Sequence, residues 1–168
     1  DLLPPDRVVA LLNRYLGAMT DIIQQFGGTI DEFLGDAILA VFGAPRRHDD
    51  DPDRAARCAL AMQQAMARIN GANREEGLPE LRMGIALNTG TVIAGNIGSE
   101  RHSKYGFVGH AMNVTSRIED VAGPGEILIA DSTRQVLGAA YALGPARELQ
   151  APGIDERLTV HPLESELP

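Results

Sequence analysis

Apolar positions recur every three or four residues along the first part of the chain. Val8, Leu11, Leu12, Tyr15, Leu16, Met19, Ile22, Ile23 and Phe26 form one stripe, which predicts a helix over 4–26 with one buried face. Pro4 and Pro5 suit its mouth, and Gly27-Gly28 its end. The pattern then switches. Thr29–Leu34 and the wholly apolar run Ala37–Phe42 read as two strands joined by Gly35-Asp36, where glycine first suggests a type II′ turn. The unbroken run predicts that the second strand is central and buried on both faces.

A second helix is expected over about 52–70, opened by His48-Asp49-Asp50-Asp51-Pro52-Asp53. That acidic cluster reads as an N-cap at Asp51 with charges suited to a helix start, rather than as a metal site. The sequence then gives a polar loop over 71–79, a strand over Leu81–Leu87, a glycine-rich stretch over Asn88–Gly98 and a strand over Ser103–Val108. A helix over about 112–122 follows, then a strand over Glu126–Ala130, a short helix over Asp131–Leu137 and one or two weaker strands within 146–163. Helices and strands alternate without repeats or a linker, so the expected fold is α/β (α+β) with a mixed sheet, in one domain.

Composition narrows the function. The 168 residues carry 23 acidic and 15 basic side chains, a net charge of −8, which argues against bulk binding to nucleic acid. A nucleotide substrate stays open, because bound Mg2+ inverts local charge. The lone Cys58 excludes an internal disulfide, sits in an apolar helical pattern and fits a reducing, cytoplasmic setting. No apolar run reaches the ~20 residues of a membrane span, so no membrane contact is expected of this domain itself. The chain starts at Asp1 and reads as a piece of something longer, which could itself be membrane-bound.

Three segments carry candidate chemistry. In the hairpin 28–37, Asp36 at the turn could hold a hard cation, or serve the turn alone. The stretches 84–90 and 92–98 hold glycines that permit close approach, but no P-loop lysine follows. In 105–117, Asn113 and Arg117 lie four apart on one helical face. That donor pair suits a sugar and a phosphate, and equally suits a solvated face.

Together these segments resemble the class III adenylyl/guanylyl cyclase catalytic domain: a Gly-Asp hairpin, Gly84-Ile85 with Thr89-Gly90, Ala94–Gly98, and Gly109 leading into Asn113–Arg117, in the family order. The match covers about residues 4–137. It implies a mainly antiparallel sheet flanked by helices, of ferredoxin-like or palm type. It implies conversion of a purine nucleoside triphosphate to the 3′,5′-cyclic monophosphate plus pyrophosphate, with two Mg2+ (or Mn2+) ions per complete site. By the same resemblance Asp36 is a metal ligand, Asn113 positions the ribose and Arg117 stabilises the reacting phosphate. The site forms across a head-to-tail homodimer, with metal from one chain and Asn113 and Arg117 from the other.

Glu32 and Gly106 fall at the positions that read the base. Adenylyl cyclases usually have lysine at the first, and aspartate or threonine at the second. A carboxylate accepts from guanine N1–H and N2–H2 and opposes the bare N1 of adenine, so Glu32 favours GTP, with ATP the alternative. Gly106 has no side chain to decide with. The family's first strand, with the first metal aspartate and the phosphate loop, has no counterpart here. No phosphate-binding lysine occurs over 149–156, leaving Arg147 or Arg157 as substitutes. A different class therefore remains open: an inactive cyclase-like module that dimerises or senses nucleotides. An unrelated α/β ligand-binding domain is the third reading.

Overall fold

The computed structural model describes residues 3–150 and 157–168. The first helix, α1 (Pro5–Gln25), buries Leu11, Tyr15, Met19 and Ile23, the stripe expected from the spacing. Strands β1 (Thr29–Leu34) and β2 (Ala37–Val41) pair antiparallel, with Leu34 opposite Ala37, so Gly35-Asp36 is a two-residue turn. Gly35 has φ +63° and no non-glycine residue among those described has positive φ, as a type II′ turn requires.

The expectation of a doubly buried central β2 is corrected. Every residue of β2 is only half-buried, and among the described residues β2 pairs with β1 alone. Its second edge borders an apolar cleft instead of a strand. The role expected of β2 belongs to β6 (Ile127–Ala130), all four residues of which are buried.

Helix α2 runs from Asp51 to Glu75, past the loop expected from residue 71. Tertiary contacts carry it through Gly71. Asn73 is fully buried and accepts from Arg14, while the Asn70 side chain bonds both the N–H and the C=O of Leu81. Those two bonds also explain why the next strand, β3 (Ile85–Leu87), is shorter than the apolar run 81–87: an amide side chain takes the place of a neighbouring strand at Leu81. Asp51 is buried and receives the His48 N–H and the Arg54 guanidinium, so it braces the helix start without capping it.

The glycine-rich stretch contains a strand that periodicity did not reveal, β4 (Ile93–Gly98). It forms a separate antiparallel ribbon with β5 (Ser103–Val108). Helix α3 (His110–Val121) follows, then β6, the single-turn α4 (Asp131–Arg134), β7 (Tyr141–Leu143), β8 (Arg147–Leu149) and β9 (Leu158–Glu166). β3 and β6 are parallel, and β9 pairs antiparallel with β6, β7 and β8. The sheet is thus mixed and mainly antiparallel, as expected. Its core joins Ile127, Ile129 and Leu163 to Ala56 and Ala59 of α2 on one face, and Leu128 and Val160 to Val114 and Ile118 of α3 on the other. Cys58 is buried in the α1–α2 core, and burial pushes its thiol up to about 12, which makes it a small core residue. Among the described residues no helix is long and apolar enough to cross a membrane.

Candidate active site

The functional candidates cluster on the two ribbons and on α3, outside the main sheet. Helix α3 starts at Gly109, whose φ of +148° lies where other residues are strained and where a Cβ would press on the Thr91 carbonyl. The Asn88 side chain donates to the Ala111 carbonyl at 3.0 Å, tying the first turn to the end of β3. Val114 and Ile118 anchor the helix in the core. The opposite face is thereby forced outward, and Asn113 and Arg117 stand exposed one turn apart. Arg117 is 3.6 Å from Asp120, an exposed contact worth little in water.

Glu32 and Gly106 come together within the chain. Lys104, two residues before Gly106 on β5, donates to Glu32 Oε2 at 3.3 Å. A Cβ at Gly106 would lie 3.4 Å from Asp31 Oδ1. One base candidate, Gly106, the ribose candidate and the phosphate candidate therefore follow one another along a single run, β5 into α3, with Glu32 of β1 alongside.

Asp36 sits apart from Asn113 and Arg117. It lines a cleft of about 960 Å3 between β2, β3, α1 and α3, whose walls include Tyr15, Ile38, Ala40, Leu87 and Glu119; neither Asn113 nor Arg117 lines it. Burial, then the charges of Asp120 and Asp36, raises the Glu119 carboxyl above the usual range. Burial, then Asp36 and Glu119, likewise raises the Tyr15 phenol. Among the described residues no three His, Cys, Asp or Glu side chains converge on one point, so Asp36 alone does not make a two-ion centre. Of the arginines expected to replace the phosphate lysine, Arg147 is held by both oxygens of Glu126 at 3.1 and 2.7 Å, and Arg157 is 3.4 Å from Glu148. Residues 151–156 of that stretch lie outside the described residues. Sequence reasoning passed over Lys104, two residues before Gly106 on β5, and Asp31, which only the packing of the two separate ribbons brings beside Gly106.

With this geometry in view, the comparisons agree on a class. The profile of the Adenylate and Guanylate cyclase catalytic domain family matches residues 3–164, and the chain belongs to that family. By family it is a nucleotide cyclase catalytic domain. Among solved structures it resembles the guanylyl cyclase Cya2, at 42% identity and a TM-score of 0.94, covering 98% of this chain and 83% of that one. It also resembles the guanylate cyclase domain of RhGC from Catenaria anguillulae in complex with GTP, at 25% identity and a TM-score of 0.84, covering 98% and 87%. Adenylate cyclase 1 of Rhizobium meliloti is 36% identical over 115 residues, which are 68% of this chain. The chain spans only 17% to 34% of the length of the first curated relatives it matches.

Proposed function

We propose that this domain, within its full-length protein, converts GTP to cyclic GMP and pyrophosphate in a head-to-tail homodimer. The observation that carries the reading is the order of groups along β5 and α3: buried Gly106 beside half-buried Glu32, then Asn113 and, one turn on, Arg117, both exposed. The exposed donors of Asn113 and Arg117 suit the ribose and the α-phosphate, and the arginine offsets charge that grows as the 3′ hydroxyl attacks and pyrophosphate leaves. Glu32 opposes adenine and accepts from guanine. The exposed apolar side chains Ile93, Ile97 and Val108, which share one side of the β4–β5 ribbon, are the face that a second copy covers.

Mg2+ or Mn2+, the ions this family generally uses, would neutralise the phosphates, with Asp36 as one ligand. The remaining ligands come from outside the described residues. The free edges of β2 and β3 both face the cleft beside Asp36, and we assign that space to the family's first strand, supplied by the full-length protein with the other metal aspartate. The buried free thiol of Cys58 suits work in the cytoplasm. The single carboxylate at Asp36 also keeps a second reading in play, an inactive dimerising or nucleotide-sensing module.

The test is an assay of the full-length protein with GTP or ATP and Mg2+ or Mn2+. Cyclic GMP is expected to dominate, and Glu32→Lys to shift preference toward ATP by about ten- to a hundredfold. Cyclic AMP as sole product overturns the base assignment, and no product with either nucleotide selects the inactive module.

A further inference from the structure

Helix α3 carries Asn113 and Arg117, yet its start has no side-chain cap, and Gly109 at its head has no side chain to supply one. The placement of its first turn therefore comes from neighbouring elements. Val114 and Ile118 are buried and pin the later turns, one on either side of Arg117. Asn113 precedes both anchors.

The first turn is gripped by the segment 88–91, which leaves the end of β3. A Cβ at Gly90 would lie 2.7 Å from Ala111 Cβ, closer than such atoms approach, so glycine lets the two segments meet. A Cβ at Gly109 would lie 3.1 Å from the Thr91 oxygen. Between these contacts the Asn88 amide donates to the Ala111 carbonyl at 3.0 Å, and the Thr115 hydroxyl donates to the same oxygen at 2.7 Å. A carbonyl in the first turn of a helix has its intrahelical N–H partner, and the groups left over at that end are N–H donors. The bond from Asn88 completes nothing that the helix lacks. What it fixes is where the turn sits.

The amide is itself oriented. Its oxygen accepts from the Ser132 hydroxyl at 3.1 Å, and a carbonyl can only accept, so the nitrogen must face Ala111. Ser132 Oγ also receives the Thr89 N–H at 3.4 Å, and the hydroxyls of Thr89 and buried Thr133 bond at 2.8 Å. Ser132 and Thr133 belong to α4, which follows buried β6 directly and whose Asp131 bonds His161 of β9. Hydrogen bonds thus link the main sheet, through Ser132 and Asn88, to the turn before Asn113. Satisfying a half-buried amide would explain the Asn88 bond, but not why Gly90, Gly109 and an α4 hydroxyl converge on the same turn.

Resting on the reading of Asn113 above, we propose that Asn88 is a positioning residue of the cyclase site: it holds the first turn of α3 in register with the sheet and so sets where Asn113 meets the ribose. Arg117, held between two core anchors, depends on it little. A misplacement of about 1 Å in a substrate-orienting group costs up to about a hundredfold in rate.

The full-length protein and its variants are assayed for cyclic nucleotide formation with the nucleotide it prefers, at a temperature where circular dichroism shows each one folded. Asn88→Ala should lower kcat by about tenfold and move KM by less than about threefold, since base and phosphate contacts still hold the nucleotide. Asn88→Asp, of the same shape but with no N–H to donate, should match it at neutral pH. Ser132→Ala, at an exposed position, should lower kcat by about threefold, and by nothing further in the Asn88→Ala background. In the Asn113→Ala background Asn88→Ala should cost less than about twofold, whereas in the Arg117→Lys background its whole loss should persist.

A folded Asn88→Ala with the wild-type kcat, or a loss as large in the Asn113→Ala background as in the wild type, overturns the role of Asn88 alone. A wild-type kcat in Asn113→Ala itself overturns the ribose assignment on which that role rests.

Discussion

The sheet around β9 and the two ribbons are built on opposite terms. In the sheet, β6 is buried along its whole length between α2 and α3, and its hydrogen bonds go to β3 on one side and β9 on the other. In the ribbons, each described strand has one partner only, and Phe33, Leu34, Ile93, Ile97, Tyr105 and Val108 face outward. All five residues singled out for chemistry lie on the ribbons or on the outward face of α3. The sheet buries its side chains within the chain, whereas the ribbons leave theirs in solvent, where the proposed dimer would cover them. A catalytic apparatus assembled between two chains requires that difference, because a residue that reacts across an interface cannot be consumed by its own core.

The contrast breaks if a change in one region behaves like a change in the other. The largest effect is expected in the sheet. Ile129 is fully buried, and Ile129→Ala should cost about 2–5 kcal/mol of unfolding free energy, read by denaturant titration. A loss below ~1 kcal/mol would mean that β6 is not the packed centre. Arg117→Ala should do the reverse, lowering turnover by about 10²–10³-fold while the melting temperature holds. Full activity in that variant would remove Arg117 from its role.

The smallest effect sharpens the sheet side by pH. Bonds from Arg134 and His161 hold the Asp131 carboxyl down at about 2. A depressed carboxyl adds stability above its unfolded value of about 4, and that stability is lost as pH falls through the window down to the folded value. Asp131→Asn should therefore be less stable at neutral pH and lose less between about pH 4 and 2. Parallel acid limbs for the two proteins would contradict the assignment.

How far the sequence could be read follows the same division. Helix α1 was legible because its stripe is buried against one neighbour, and the Gly35-Asp36 turn because its backbone demands glycine. The motif positions Asp36, Asn113 and Arg117 could be located on their elements. Three features were not legible, each for a physical reason. The apolar run of β2 looks like a central strand because apolar residues line a cleft as readily as a core. Strand β4 is hidden by Gly95 and Gly98, which lower β propensity in a ribbon that needs little packing. The extension of α2 past Gly71 depends on Asn70 and Asn73 finding partners far along the chain. At the site, the approach of Lys104 to Glu32 and Asp31 arises from packing of one ribbon on the other, which local pattern does not encode.

The central claim is that one chain supplies Asp36 while its mate supplies Asn113 and Arg117. The most direct measurement mixes two full-length variants, Asp36→Ala and Arg117→Ala, each inactive alone, and follows cyclic nucleotide formation. In a mixed dimer one of the two sites keeps both residues, so an equal mixture should regain about a quarter of the wild-type rate. A mixture of the two variants, shown to exchange subunits, that stays as inactive as its components would contradict the shared site.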